Sequence, residues 1–192
     1  MTRFIIFSGL FTSLGISQID IFDSFLRFIH QDSGICMNIN FHQTQFGESY
    51  TEAGTFYYLQ DGYYIYDSQK QRIIVNGDTI TTINKHAKQI IYDLSIPGNV
   101  NIFDILTGNM DGIKREPAIL EKSGYRILFT VPGWELSGVL RLNSGLGQPT
   151  NLELSAGDGQ NIRIQILSSG KLSENSIPDY ETTHFDVIDL RE

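Results

Sequence analysis

The stretch that decides the fold is GTFYYLQDGYYIYDSQKQRIIVNGDTITTI, residues 54–83. Within it, short runs of aromatic and β-branched residues alternate with polar residues, which is the period-2 pattern of strands with one buried face. Asp61-Gly62 and Asn76-Gly77 divide these runs. Both dipeptides favour two-residue hairpin turns, because a type I′ turn needs positive φ at both central positions. The stretch therefore predicts consecutive antiparallel strands joined by tight turns.

The same alternation continues on both sides of this stretch. Upstream, apolar and polar residues alternate strictly from residue 35 to residue 42. About ten strands in one chain predict a barrel or a strongly curved antiparallel sheet, in a protein that is mainly β with a few helices. The predicted strands are 35–41, 54–59, 63–66, 71–75, 79–83, 89–92, 125–130, 136–143, 150–154, 161–167 and 184–188.

Two segments have helical rather than strand spacing. Apolar residues at positions 22, 25, 26 and 29 form a stripe that predicts a helix over residues 19–29, covering one end of the sheet. A second apolar segment, residues 102–106, fits a short helix with Gly108 as its C-terminal cap. An apolar helix inserted between strands must bury one face, and the nearest surface is the concave side of the sheet.

The N-terminus has the three parts of a secretory signal peptide. Arg3 supplies a positive charge, residues 4–16 are apolar apart from small hydroxyl and glycine residues, and Gly15-Ile16-Ser17 offers a small-x-small cleavage site. The apolar run is shorter than the ~20 residues of a membrane-spanning helix. We therefore expect a signal peptide at residues 1–17 and a single soluble domain at residues 18–192, located in the periplasm. A buried first helix or strand is the alternative interpretation.

Composition and charge argue against several classes of function. The chain has 14 basic and 22 acidic residues, a formal net charge of −8, which disfavours nucleic acid and anionic membrane surfaces. Cys36 is the only cysteine, so neither an intramolecular disulfide nor a cysteine-based zinc site can form.

The sequence carries no recognisable catalytic or cofactor motif. Its four histidines are scattered, and it contains no nucleophile elbow, phosphate-binding loop or dinucleotide fingerprint. Gly157-Asp158-Gly159 superficially resembles a calcium loop but lacks the spaced acidic ligands, so a hairpin turn explains it better. We expect a protein that is not an enzyme and holds no metal or cofactor. An ester hydrolase is a weaker alternative.

The order of the elements resembles the LolA family of outer-membrane lipoprotein carriers. A predicted helix and a long strand lead to a Gly-led aromatic hairpin over residues 54–66, a turn at residues 75–79 and a Tyr-Asp strand at residues 91–93. Residues 103–108 are similar to the family's lid segment, and residues 184–187 to its closing strand. The resemblance implies a half-open β-barrel with an N-terminal helix and a short lid helix over the concave apolar face.

One position departs from the family pattern. LolA proteins commonly carry an Arg-Pro pair near the aromatic hairpin, and the arginine is tied to holding and transferring cargo. The matching positions here are Gln60 and Asp61. The departure leaves the expected fold unchanged and puts a complete shuttle cycle in question.

The resemblance implies a periplasmic carrier that binds the acyl chains of lipoproteins in an apolar trough and transports them from the inner to the outer membrane. Its partners would be acylated lipoproteins, an inner-membrane lipoprotein release complex and an outer-membrane acceptor, with the carrier itself a monomer. The alternative is a lipid-sensing or protein-interaction domain on the same scaffold. In that case the tyrosine-rich hairpin would form the recognition surface, through Tyr57, Tyr58, Tyr63, Tyr64 and Tyr66.

A lid helix that packs into the trough of the empty carrier would compete with cargo and so weaken the net affinity enough for release. Alternating aromatic residues are more often ordinary core than a ligand site, and the register of each strand decides which of its faces lines the trough. The predicted lipid-binding residues are Phe46, Phe56, Tyr58, Tyr64, Tyr66, Ile74 and Trp134 in the trough, and Phe103, Ile105 and Leu106 on the lid.

Overall fold

The structure of the protein is a computed structural model that describes residues 20–96, 100–133, 135–173 and 176–191. The expected signal peptide at residues 1–17 lies outside the described residues. Within the described ranges, no helix combines the length and the apolar character needed to cross a bilayer.

The described residues form thirteen strands and two α-helices, with one further turn of 3₁₀ helix at Gly157–Gly159. The helices are α1 (Ile21–Ile29) and α2 (Ile102–Leu106). The strands are β1 (Ile35–Gln45), β2 (Glu48–Gln60), β3 (Tyr63–Ser68), β4 (Gln71–Asn76), β5 (Thr79–Asn84), β6 (Gln89–Leu94), β7 (Lys114–Arg115), β8 (Ile119–Glu121), β9 (Gly124–Val131), β10 (Leu136–Leu142), β11 (Pro149–Ser155), β12 (Asn161–Lys171) and β13 (Asp186–Asp189).

All strands belong to one curved, unclosed sheet. Its order is β13-β6-β5-β4-β3-β2-β1-β12-β11-β10-β9-β7, with β8 paired to β9 beside this path. Near the middle of this order, β1 pairs with β12, which is far from it in the chain, and the two strands lie antiparallel from Ile35↔Lys171 to Thr44↔Asn161. The prediction of a mainly β, half-open barrel with few helices is confirmed.

The tight turns follow the local sequence, with one shift. Asp61 and Gly62 have φ of 50° and 76°, the two positive values of the predicted type I′ turn. At the second predicted turn, Asn76 pairs with Thr79, so the turn residues are Gly77-Asp78 instead of Asn76-Gly77. Only Gly77 of these two has positive φ (58°), which is the type II′ arrangement with glycine first.

The last strand differs from the predicted meander. β13 lies at residues 186–189 and pairs in parallel with β6, from Asp186↔Gln89 to Asp189↔Tyr92. The expectation of antiparallel neighbours throughout is therefore wrong at this edge. The chain between β12 and β13 returns across the sheet, and Pro178 accepts a hydrogen bond from Arg72 of β4 on the way (2.8 Å).

Both helices form because their ends are capped and their apolar residues are buried. The Asp20 side chain accepts a hydrogen bond from the Phe22 N–H at the start of α1 (3.0 Å), which satisfies one of the free donors of the first turn. The stripe predicted for this helix buries Phe22, Phe25 and Ile29. These side chains join one core with the apolar face of the sheet, so α1 closes one end of the half-barrel.

Candidate functional site

The short helix α2 lies on the core side of the sheet, as predicted for the lid. Its residues Ile102, Phe103, Ile105 and Leu106 are all buried. Asn101 and Asp104 form a capping box, in which each side chain accepts a hydrogen bond from a backbone N–H at the other end of the first turn. Thr107 follows as the C-cap, and Gly108 has a φ of +84°, which completes the predicted glycine stop. A five-residue helix is thus held by its caps and its burial.

Phe103 is the centre of an aromatic cluster. Its ring stacks on Phe56 of β2 with centroids 5.4 Å apart and an interplanar angle of 11°. It also packs against Tyr66 (5.1 Å), Tyr64 (6.0 Å) and Phe41 (6.4 Å). The lid therefore fills the aromatic part of the concave face with one side chain.

The register of the first hairpins explains why these rings meet. Phe56 pairs with Tyr66 and Tyr58 with Tyr64 across β2 and β3, which places all four on the same face. The structure thus brings together seven predicted site residues in one buried core: Phe56, Tyr58, Tyr64, Tyr66, Phe103, Ile105 and Leu106. Their proximity agrees with the predicted trough, and their role in lipid binding stays a prediction.

Two predicted trough residues, Phe46 and Ile74, are not brought to this cluster. Phe46 is 81% exposed, because Phe46 and Gly47 are the turn residues between β1 and β2, with φ of 50° and 80°. Ile74 pairs with Ile65 and Thr81 on the opposite face of the sheet, and its neighbours Ile73 and Val75 face the trough in its place. The placement of Phe46 and Ile74 in the trough is wrong for these reasons. Trp134 lies outside the described residues.

The tyrosines of the hairpin do not form the recognition surface that the alternative interpretation requires. Tyr57 and Tyr58 are each 5% exposed, and Tyr64 and Tyr66 are each 2% exposed. Tyr57 faces the opposite side of the sheet from the other three, since residues of a strand alternate between its faces. Only Tyr63 keeps an intermediate exposure. In the closed form a protein partner therefore has no access to these four buried tyrosines.

A polar contact joins the lid to the trough wall. The Tyr64 hydroxyl donates to Asp104 Oδ1 of α2 (3.0 Å), and Asn101 Nδ2 donates to the Tyr64 hydroxyl (3.3 Å). Burial raises the pKa of Tyr64 far above its ordinary value, and the Asp104 carboxylate raises it further. Burial also raises the pKa of Asp104, and the hydrogen bonds from Tyr64 and Asn101 offset this only in part. The same carboxylate therefore caps α2 and fixes it to β3.

The second attachment of the lid is His30, which sequence reasoning did not select. Its Nε2 donates to the Thr107 carbonyl at the end of α2 (2.9 Å), and its ring lies 5.7 Å from that of Tyr58. Gly108 packs so closely on α1 that an added Cβ would lie 2.5 Å from Leu26 Cδ2. The lid is thus tied to α1 at one end and to β3 at the other.

Replacing His30 by alanine is expected to loosen the lid while the fold persists. The variant loses one side-chain hydrogen bond, so we expect the free energy of unfolding to fall by about 0.5–1.5 kcal/mol. Hydrogen exchange of the amides of residues 103–108 should become faster than in the wild type. His42→Ala is the matched control, because His42 bonds Thr51 on the neighbouring strand (2.7 Å) and not the lid. Unchanged exchange in α2 would show that His30 does not hold the lid.

Gln60 and Asp61, the positions that the sequence resemblance matched to an Arg-Pro pair, lie beside this attachment. Gln60 ends β2 with a φ of +108°, and its Nε2 donates to the Gln31 carbonyl (3.2 Å) in the segment after α1. Asp61 occupies the hairpin turn. Both line a shallow cleft of about 300 Å³ together with His30. Among the residues that line this cleft, His30 is the one that donates a hydrogen bond to the backbone at the end of the lid.

Two clefts flank the lid. One, of about 500 Å³, is lined by Tyr64, Val75, Ile80, Asp104 and the segment after β6. The other, of about 280 Å³, lies between α2 and strands β11 and β12. A cleft of about 550 Å³ elsewhere surrounds the ion pair of Glu153 and Arg163 (3.2 Å), and its charged lining is less suited to a hydrocarbon chain. The described residues bring no three His, Cys, Asp or Glu side chains together as a metal site.

The comparisons with known proteins agree with the fold. An uncharacterized conserved protein from Thermus thermophilus has a crystal structure that matches this chain with a TM-score of 0.57 at 9% identity, over 88% of this chain and 96% of that one. The N-terminal helix, the aromatic hairpin and the inserted lid follow one another on an open curved sheet in the order that the sequence resemblance predicted. The chain shares its fold with that protein.

Two further solved structures have TM-scores below 0.5. A LolA superfamily protein from Nitrosomonas europaea matches at 0.44 with 9% identity, over 82% of this chain and 93% of that one. A putative outer membrane lipoprotein-sorting protein domain from Vibrio parahaemolyticus matches at 0.45 with 6% identity, over 85% and 94%. No protein-family model and no curated protein sequence matches this chain. Identities this low establish similarity of fold alone.

Proposed function

We propose that this protein is a periplasmic, non-enzymatic carrier that binds the acyl chains of lipoproteins under α2 and takes them from the inner to the outer membrane. The observation that carries the proposal is the insertion of Phe103 of the lid into the aromatic face of an open curved sheet. The signal-like sequence at residues 1–17 supports export, and the descriptions of two structural neighbours as LolA superfamily and lipoprotein-sorting proteins are consistent with this role.

The energetics of carrying lipid explain why a lid is useful. Each methylene removed from water contributes roughly 0.8 kcal/mol, so an open apolar trough would hold an acylated protein too tightly to release it. Packing of Phe103, Ile105 and Leu106 into the same trough stabilises the empty form. The apparent affinity then falls by the fraction of molecules that are open. A modest closing free energy therefore makes transfer reversible.

A release assay tests the proposal directly. Membranes that hold a triacylated lipoprotein are mixed with the purified protein, the membranes are sedimented, and the supernatant is analysed by native mass spectrometry. We expect a soluble one-to-one complex of carrier and lipoprotein. A lipoprotein with its acylated cysteine replaced by serine serves as the control and should form no complex. If the acylated form stays in the pellet at every carrier concentration, the carrier proposal is wrong.

A further inference from the structure

Tyr66 is a buried residue of the trough wall that carries a polar hydroxyl group. It is 2% exposed, and its hydroxyl oxygen has no hydrogen-bond partner among the described residues. The neighbouring hydroxyl on the same face belongs to Ser68, which donates to the Gln71 carbonyl (2.9 Å) and accepts from the Gln71 N–H (3.1 Å). Buried polar groups in proteins are nearly always paired, because an unpaired one destabilises the fold. An orphaned hydroxyl in the trough wall therefore points to a ligand.

The surroundings of Tyr66 hold its ring in place against the lid. Gly54 of β2 lies opposite, so close that an added Cβ would be 2.5 Å from Tyr66 Cε2. The other face of the ring stacks on Phe103 at 5.1 Å. Removing the lid would therefore uncover Tyr66 without moving it, since the glycine contact lies within the sheet.

Tyr64 becomes a second free donor when the lid opens. Its acceptor in the closed form is Asp104, which belongs to α2 and leaves with it. Tyr64 and Tyr66 lie two residues apart on one face of β3, a spacing of roughly 7 Å along the strand. Burial, followed by repulsion from Glu52, raises the pKa of Tyr66 to about 12, so its hydroxyl keeps its proton at neutral pH. An open trough thus presents two neighbouring O–H donors on a wall made largely of apolar side chains.

The chemistry of a matching ligand follows from these donors. An uncharged acceptor suits these hydroxyls, because the carboxylate of Glu52 lies near Tyr66 and repels phosphate and free fatty acid. We propose that Tyr64 and Tyr66 donate to the carbonyl oxygens of acyl esters or amides, so that the trough selects acyl lipids over plain or ether-linked hydrocarbon. The inference rests on the proposed function and names the part of the lipid that the trough recognises.

The test compares two lipids that differ only in their carbonyl groups. Dipalmitoylglycerol carries two ester carbonyls, and dihexadecylglycerol has ether links in the same places. Each is used to displace a fluorescent acyl-chain probe from the full-length mature protein. We expect the wild type to bind the ester about tenfold more tightly than the ether, from two net hydrogen bonds. Tyr66→Phe should reduce this ratio, and the double variant with Tyr64→Phe should bring it close to one.

Two controls keep the result unambiguous. Tyr57→Phe removes a hydroxyl from the opposite face of β2 and should keep the full ester preference. Thermal unfolding of Tyr66→Phe should occur at the same or a higher temperature than that of the wild type, because the variant removes an unpaired buried group. Equal affinity of the wild type for both lipids, or a preference that survives both substitutions, would overturn the carbonyl role and leave the carrier proposal standing. Failure to bind either lipid would overturn the carrier proposal, and this inference with it.

Discussion

Replacing Phe103 by alanine is expected to destabilise the fold by about 3–5 kcal/mol and, in the same molecule, to tighten the binding of acyl chains. Phe103 is 5% exposed and contacts Phe56, Tyr64, Tyr66 and Phe41, so its removal leaves a cavity among rigid rings. The closed form loses the contacts of this ring with its four aromatic neighbours. The substitution destabilises the open form much less, because Phe103 is already withdrawn from the trough in that form. The balance between the two therefore shifts toward the form that binds cargo.

The two effects are measured separately. Denaturant unfolding gives the loss of stability, and titration with a fluorescent acyl-chain probe gives the affinity, which should rise about tenfold for each 1.4 kcal/mol removed from lid closure. Ile65→Ala is the control, because Ile65 is 4% exposed on the opposite face of β3. It should cost about 2–5 kcal/mol with no gain in affinity. If Phe103→Ala binds the probe more weakly than the wild type, the ring contributes to cargo binding and does not compete with it.

Local sequence patterns predicted most of the sheet because its strands are short and its neighbours are mostly consecutive. The alternation in β1 and the Asp61-Gly62 turn are both features that a few adjacent residues determine. The first half of β2 was missed because residues 48–53 are mostly polar, and they owe their strand conformation to pairing with β1. β7 and β8, of two and three residues, carry no periodic signal at all. β13 is parallel, and its pairing with β6 depends on the path of the preceding loop.

The parts of the site that are formed by residues close together in the sequence could be predicted. The aromatic hairpin and the apolar segment at residues 102–106 are visible in the sequence, and the family resemblance connected them. Phe46 was misplaced because its turn contains an aromatic residue at positive φ in place of the usual Asn or Asp. Ile74 was misplaced because a shift of one position changes the face of a strand. The bonds that hold the lid join residues 77 positions apart (His30 and Thr107) and 40 apart (Tyr64 and Asp104), which no local pattern encodes.

On the face of the sheet that points away from the trough, replacing Asp67 by alanine should lower the free energy of unfolding more than any other single substitution. Its two carboxylate oxygens contact Arg72 Nη2 (2.8 Å) and Lys85 Nζ (2.7 Å), and all three side chains are largely buried. Arg72 also donates to the Pro178 carbonyl, and Tyr180 lies over both cations, so the cluster fixes the returning chain to the sheet. Removing the carboxylate leaves two buried positive charges side by side. A loss of about 3–5 kcal/mol is expected, as for other buried pairs that lose one partner.

The pH dependence of this loss identifies its cause. Burial alone would raise the pKa of Asp67, but the hydrogen bonds from Arg72 and Lys85 outweigh it and hold the pKa below its ordinary value. A carboxyl with a lowered folded pKa stabilises the fold fully above its unfolded pKa of about 3.9, and this contribution is lost as the pH falls through the folded value. Urea unfolding of the wild type and of Asp67→Ala should therefore differ most near neutral pH and converge below about pH 4. Glu121→Ala, which breaks a half-exposed pair with Arg126 (3.2 Å), should cost only about 0–1 kcal/mol. A difference for Asp67→Ala that stays constant down to strongly acidic pH would mean that lost packing, rather than the lost charge, destabilises the variant.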